Sequence, residues 1–212
     1  MTTTDQDYVE YVIRIAAETA IANEDYFCQL DSVVGDGDFG YSLARGFERL
    51  LEQWDDIDRS NPATFIQKTA MILTSRIGGS SGPIWGPGFM RASAVARKHP
   101  ELSPTAVVEM IRSAIEGIQA RGGAELGDKT LLDALAPMAD AIEEKAAAGM
   151  SGKELADHAA AVCEEAAEAT SVLQARRGRA SYTNERSIGS VDAGAKGVSV
   201  LVNEIAKSWP ES

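Results

Sequence analysis

Apolar positions recur with a helical period along nearly the whole chain. Over residues 5–27, Val9, Val12, Ile13, Ala16 and Ala20 fall on one helical face. Comparable stripes predict helices over 40–54, 63–77, 84–98, 104–120, 129–148, 151–175 and 194–208, about eight in all. Runs such as EEKAAAGM and ADHAAAVCEEAAEA add high intrinsic helix propensity. Pro137, inside the stripe over 129–148, implies a kink or a reinforced turn. Period-two alternation is absent, save for a few residues around Ser32, Val33 and Val34 that admit a short strand. The expected fold class is all-α.

The connections between these stripes are of two kinds, and the kinds alternate. DDIDRSNP (55–62), KHPELSP (98–104) and GMSG (149–152) are short and carry no unusual chemistry. DSVVGDGDFG (31–40), GGSSGPIWG (78–86), RGGAELGDKT (121–130) and RRGRASYTNERSIGSVDAGAKG (176–197) are rich in glycine and polar residues. In an up-and-down bundle alternate loops lie at one end, so the four richer loops should meet there. Each leads into a helix, and a helix N-terminus offers unpaired N–H groups and about half a positive charge. Topology alone therefore predicts an antiparallel eight-helix bundle or barrel with an anion-binding mouth at one end.

Composition narrows what such a mouth can bind. The 212 residues suit one domain spanning 1–212, and 44% hydrophobic with 25% charged residues is ordinary for a soluble protein. A net charge of −12 argues against nucleic-acid and anionic-membrane partners. An acidic chain that handles phosphate needs local remedies: metal ions, helix N-termini or a few placed arginines. Cys28 and Cys163 are isolated, without CxxC spacing, as expected of reduced thiols. MTTTDQDYVEYV at the start has no basic n-region, and no window reaches the roughly 20 apolar residues of a membrane span. A cytoplasmic location is expected.

Asp31, Asp36 and Asp38 can converge on a cation. Carboxylates without histidine or cysteine suit a hard ion such as Mg²⁺, and Gly35, Gly37 and Gly40 let the backbone turn so that the acids face one point. The alternative is that Asp36 and Asp38 form the turn or cap the next helix. An EF-hand is excluded, because Gly40 stands where the next acid is required. GGSSGP (78–83) offers consecutive N–H groups and two hydroxyls before a helix, a phosphate cradle without a Walker lysine, or else a linker. Asp128 and Lys129 in GDKT read as a solvated helix start. Arg177, Arg179 and Arg186 form the basic cluster, suited to phosphate or to surface carboxylates. His99 and His158 lie outside the rich loops, and no nucleophile–base pair is evident. Positioning and charge neutralisation would carry any chemistry, which is what phosphoryl transfer asks of a protein.

Taken together, GDGDFG, GGSSGP, GDKT followed by LLDAL, and GRASY with ERSIG and DAGA resemble the nucleotide-binding L subunit of dihydroxyacetone kinases, in order and over nearly the whole chain. The resemblance implies an eight-helix barrel with the nucleotide at one end. It implies Mg²⁺, a pair of ions, on Asp31, Asp36 and Asp38. Phe39, Gly40, Tyr41, Ser42, Ser80 and Ser81 would lie along the phosphates of ATP or ADP. Gly122 and Leu131 would border adenine and ribose, Arg179 would reach the nucleotide, and Asp192, Ala193 and Gly194 would close the site. No residue is singled out as catalytic.

The family usually has histidine where this chain has Phe39, so nucleotide binding is expected to persist, with altered handling of the terminal phosphate or a different partner substrate. The resemblance also implies a kinase subunit, with a place in glycerol metabolism, that is active only with a partner. A separate K-type subunit would hold a short ketose such as dihydroxyacetone or erythrulose. Exchangeable ATP is the first expectation for the donor. Resident ADP recharged by a phosphotransferase-system protein is the second, and a non-catalytic regulator-binding homologue the third. A homodimer is compatible with all three. A fatty-acid kinase would need additional domains beyond 212 residues.

Overall fold

The computed structural model describes residues 4–78 and 82–210. Among them every regular element is helical: α1 (Asp5–Ala22), α2 (Glu24–Ser32), α3 (Phe39–Glu52), α4 (Pro62–Arg76), α5 (Gly82–Ala96), α6 (Pro104–Gly122), α7 (Leu132–Ala147), α8 (Gly152–Ala169) and α9 (Ala193–Lys207). Short 3₁₀ turns cover Trp54–Asp56, Thr170–Val172 and Arg179–Ser187.

Helix starts follow local chemistry. Thr4 and Asp7 cap α1 reciprocally, each side chain accepting from the other's backbone N–H. Asn61 and Ser103 cap α4 and α6 ahead of Pro62 and Pro104, whose missing N–H costs nothing in a first turn. Gly123, with φ 62°, stops α6 in the left-handed conformation.

Several boundaries differ from the sequence expectation, and the helix expected over 151–175 ends at Ala169, followed by a 3₁₀ turn over Thr170–Val172. The first stripe is two helices, because Asn23 turns the chain and donates both its backbone N–H (3.0 Å) and its Nδ2 (2.8 Å) to the Thr19 carbonyl. The short strand near Val33 does not form; Val33 instead continues the helical turn, with φ −66° and ψ −40°. The helix expected from 129 begins at Leu132, since Lys129 has φ 63° and cannot join it. Helix α7 runs through Pro137.

Eight helices close a ring. α1 packs on α3, α3 on α4, and so on in chain order to α9, which returns to α1. Helix α2 lies against α3 and α9. One half of the core gathers Phe27, Phe47, Leu50, Phe65 and Leu73, and the other Leu132, Met138, Cys163 and Val198; Trp85 of α5 packs against both. Each such side chain contributes about 1.5–3 kcal/mol on burial. The plain connectors around 61–64 and 96–102 meet at one end of the ring beside Thr4. The rich loops meet at the other.

Candidate functional site

At that second end lies a cavity of about 410 Å³. Its lining comes from the 31–39 hinge, the start of α5, the 118–131 region, the 177–180 turn and the 192–194 helix start. Segments as far apart in sequence as Asp31 and Gly194 are brought together by ring closure.

The hinge supplies carboxylates. Asp31 lies in the last turn of α2, Asp38 sits at the N-cap of α3, and oxygens of Asp31, Asp36 and Asp38 lie within 4.8 Å of one another. The Asp38 side chain makes no cap bond, so capping does not explain its presence. Asp31 Oδ2 accepts from the backbone N–H of Asp38 (3.1 Å) and Phe39 (3.4 Å), which pins the start of α3 to the end of α2. A Cβ on Gly35 would stand 2.1 Å from Asp31 Oδ1, so only glycine leaves room for that carboxylate. Arg179 reaches across from its 3₁₀ turn to pair with Asp36. Three hard oxygen donors without nitrogen or sulfur fit Mg²⁺ and suit zinc or copper poorly.

The other lining groups differ in kind. Ile84, Trp85, Ile118, Ala124 and Leu131 are apolar, as a planar base requires, while Arg121, Arg177 and Arg179 are cationic. Gly122, Asp192, Ala193 and Gly194 line the cavity as the resemblance implies. Asp192 caps α9 by accepting from the Ala195 N–H at 2.7 Å. Burial pushes its carboxyl up to about 7; the Ala195 N–H opposes this, Asp133 adds to it, and Lys129 opposes it.

The row expected along the phosphates is only partly there. Phe39 borders the cavity, but its ring packs on Phe27 with centroids 5.8 Å apart. Gly40 lies against the backbone of Glu24 and Cys28, Tyr41 is 55% exposed beneath the Arg45 guanidinium, and Ser42 is buried near Gly78. None of these three lines the cavity. The reason is geometric: α3 begins at Phe39, and each further residue turns about 100° around the axis. Their backbone donors are also engaged, Tyr41 N–H to Cys28 Sγ (3.3 Å) and Ser42 N–H to the Asp38 carbonyl (2.9 Å). Ser80 and Ser81 lie outside the described residues.

The solvated helix start expected at GDKT is overturned. Asp128 and Lys129 are both buried. Asp128 is held below the usual carboxylate range by the Glu125 N–H first, with Arg177 also bonding to it at 2.8 Å. The cluster Arg177, Arg179 and Arg186 therefore splits: the first two pair with Asp128 and Asp36, and Arg186 is exposed away from the lining. Trp85, Ile118, Arg121 and Lys129 are cavity residues that sequence reading missed. Only the apolar run directly after GDKT hinted that this turn is not at the surface.

Neither His99, 2.9 Å from Glu109, nor His158 lines the cavity. Cys163 is buried in the core, where desolvation pushes its thiol up to about 12. Among the described residues the site thus offers positioning, charge and an apolar slot.

Comparison with known proteins fits this chemistry. The DAK2 domain family matches residues 33–207. The chain is 35% identical over 187 residues to the "PEP-dependent dihydroxyacetone kinase, ADP-binding subunit DhaL" of Escherichia coli (strain K12), covering 88% of this chain and 89% of that one. It is 32% identical over 208 residues to the "PEP-dependent dihydroxyacetone kinase 2, ADP-binding subunit DhaL" of Listeria innocua, covering 96% and 95%. The dihydroxyacetone kinase of C. freundii, solved in complex with AMP-PNP and Mg²⁺, shares the fold, with a TM-score of 0.77 and 23% identity over 94% of this chain and 33% of that one. No helix among the described residues is long and apolar enough to cross a membrane.

Proposed function

The chain belongs to the DAK2 domain family, and from that premise we propose that it is the nucleotide-carrying subunit of a short-ketose kinase. The observation that carries this reading is the cluster of Asp31, Asp36 and Asp38 oxygens within 4.8 Å, at the edge of a cavity otherwise lined by apolar and cationic groups. The nucleotide is ADP, retained as a cofactor and recharged by a phosphotransferase-system protein. Exchangeable ATP, the first expectation from sequence, gives way because the Escherichia coli and Listeria innocua relatives are described as ADP-binding and PEP-dependent. A K-type subunit holds the ketose and docks at the mouth.

The chain's own groups divide the work. Asp31, Asp36 and Asp38 hold Mg²⁺, which when bound neutralises phosphate charge. Leu131, Ile118 and Trp85 bury the base, Gly122 leaves space beside the ribose, and Arg179 adds a fixed positive charge beside Asp36. Asp192, Ala193 and Gly194 close the cavity at the start of α9. The Phe39 ring can neither donate to a phosphate nor accept a proton. The proton of the attacking ketose hydroxyl is taken on the partner's side, where the ketose is held, and this chain stabilises and orients the transferring group.

The test is to denature purified protein and quantify released nucleotide and magnesium. Near-stoichiometric ADP supports the proposal, and an empty site that binds Mg·ATP reversibly restores the ATP-dependent reading. Binding of neither nucleotide refutes both. Asp36→Ala and Asp38→Ala should abolish Mg²⁺-dependent ADP binding with helical content by circular dichroism unchanged. Ketose turnover by this chain without a partner would also refute the division of labour, whereas binding of a regulator without any phosphoryl transfer would favour the non-catalytic homologue.

A further inference from the structure

Lys129 borders the cavity, and a cation there would ordinarily be assigned to phosphate. Its geometry gives it another task. The residue is only 2% exposed, and Nζ donates to the carbonyls of Leu173 (3.1 Å), Ser187 (2.6 Å) and Ser190 (2.5 Å). An ammonium has three N–H donors and no more, so none is left for an anion. The acceptors stand at the two ends of one segment, Leu173 before it and Ser187 and Ser190 after it. Between them the chain carries Arg177 and Arg179 over the cavity.

The rest of the GDKT turn grips the same segment. The Arg176 N–H donates to the Asp128 carbonyl (3.0 Å), and Arg177 Nε donates to Asp128 Oδ2 (2.8 Å). Within the segment, the Ala175 N–H donates to Ser187 Oγ (2.9 Å), drawing the same two ends together. Lys129 also holds φ 63°, a conformation that a side chain with Cβ disfavours and that persists only where surroundings enforce it. Here the three carbonyls enforce it. Joining a loop's ends removes much of the freedom of everything between them.

We propose that Lys129 is a positioning residue: its ammonium ties the neck of the 173–190 segment and thereby sets Arg179 against the metal-site carboxylates. The inference rests on the nucleotide-binding reading above and deepens it. Lys129 itself touches no phosphate. It acts through Arg179, whose partner Asp36 lies 143 positions away in sequence.

A double-mutant cycle tests this, with Mg·ADP affinity as readout for wild type, Lys129→Met, Arg179→Ala and the double variant, each checked for folding by circular dichroism. Each single change should weaken binding by about tenfold, the scale of one misplaced charged hydrogen bond. The double variant should bind no more weakly than Arg179→Ala alone. Multiplying losses would overturn the inference, because Lys129 would then act independently of Arg179. Failure of wild type to bind Mg·ADP would instead overturn the functional reading beneath it. Should Lys129→Met not fold, amine acylation of the wild-type protein read by mass spectrometry decides. Lys129 unmodified with and without Mg·ADP supports the tie, and modification that Mg·ADP suppresses overturns it.

Discussion

Gly40→Ala is the sharpest probe of how the fold makes the site. A Cβ at Gly40 would lie 2.0 Å from the Glu24 carbonyl oxygen and 2.8 Å from the Cys28 nitrogen. Both are backbone atoms of α2, so no rotamer change relieves the clash. Restoring ordinary contact requires α2 to retreat by roughly 1.5 Å. That movement loosens Phe27 from Phe39, the Arg45–Glu24 ion pair at 2.6 Å and the Tyr41–Cys28 bond at 3.3 Å. Overpacking against backbone atoms that cannot rotate away falls in the upper part of the usual range, about 2–3 kcal/mol, and alanine's better helix propensity offsets about 1 kcal/mol of it. The net loss is on the order of 1–2 kcal/mol, or a Tm lower by roughly 2–8 °C for a chain of this size. Asp31 rides on α2 and should leave its place opposite Asp38, lowering Mg²⁺ affinity by about tenfold or more. Thermal melting and Mg²⁺ titration in the presence of ADP measure the two effects. An unchanged Tm would refute the close crossing of α2 and α3. A lower Tm with unchanged Mg²⁺ affinity would refute the claim that this crossing places Asp31.

Gly122→Ala makes the opposite separation. No atom lies within 4 Å of a Cβ there, so Tm should hold or rise slightly, while ADP affinity falls because the methyl enters the space beside the ribose; equal affinity would remove Gly122 from the site. Asp192 sets a pH dependence. Burial pushes its folded carboxyl up to about 7 from an ordinary 3.8, so the protonated form's contribution is complete below the lower value. That contribution is lost as pH rises through the upper one, a loss on the order of a few kcal/mol. Wild-type Tm should therefore fall between pH 5 and pH 8, about three units bracketing that titration, and Asp192→Asn should flatten the fall. A wild-type Tm that rises across this window would contradict the assignment.

How much of this was legible in the sequence depends on the range of the cause. The ring was legible because apolar stripes at helical spacing persist for whole helices, and because alternating loops must share an end. The break at Asn23 was not, since asparagine is unremarkable within a helix until its side chain finds the Thr19 carbonyl. The acids of the hinge stood out beside Gly35, where a single missing Cβ makes the space for Asp31. Of the proposed phosphate row from Phe39 to Ser42 only Phe39 borders the cavity, because a motif read as a string ignores the rotation that begins once α3 starts. Lys129 was misread for a different reason. Nothing near GDKT in sequence announces carbonyls at Leu173, Ser187 and Ser190, which reach the turn only through the closed ring.

The same pairings make metal dependence a quantitative expectation. Four acids (Asp31, Asp36, Asp38, Asp192) and four bases (Arg121, Lys129, Arg177, Arg179) line the cavity, yet most of the positive charge is already committed. Arg177 bonds Asp128, Arg179 bonds Asp36, and Lys129 spends its donors on carbonyls. Asp31 and Asp38 have no cationic partner among the ion pairs of the described residues. A bare diphosphate would approach these two carboxylates at a cost of about 1 kcal/mol each in bulk water and up to about 4 kcal/mol at an effective dielectric of 20. Binding of ADP in a chelator should therefore be weaker than binding of Mg·ADP by at least about thirtyfold, the product of two repulsions near the lower bound. Calorimetric titration with EDTA or with excess Mg²⁺ measures the ratio. The sign should invert at Asp38→Asn, which removes a repulsion as well as a ligand: Mg·ADP binds more weakly, and metal-free ADP binds as well as before or better. Equal affinity for ADP with and without Mg²⁺ in the wild type would mean that the arginines, not the carboxylates, govern the mouth.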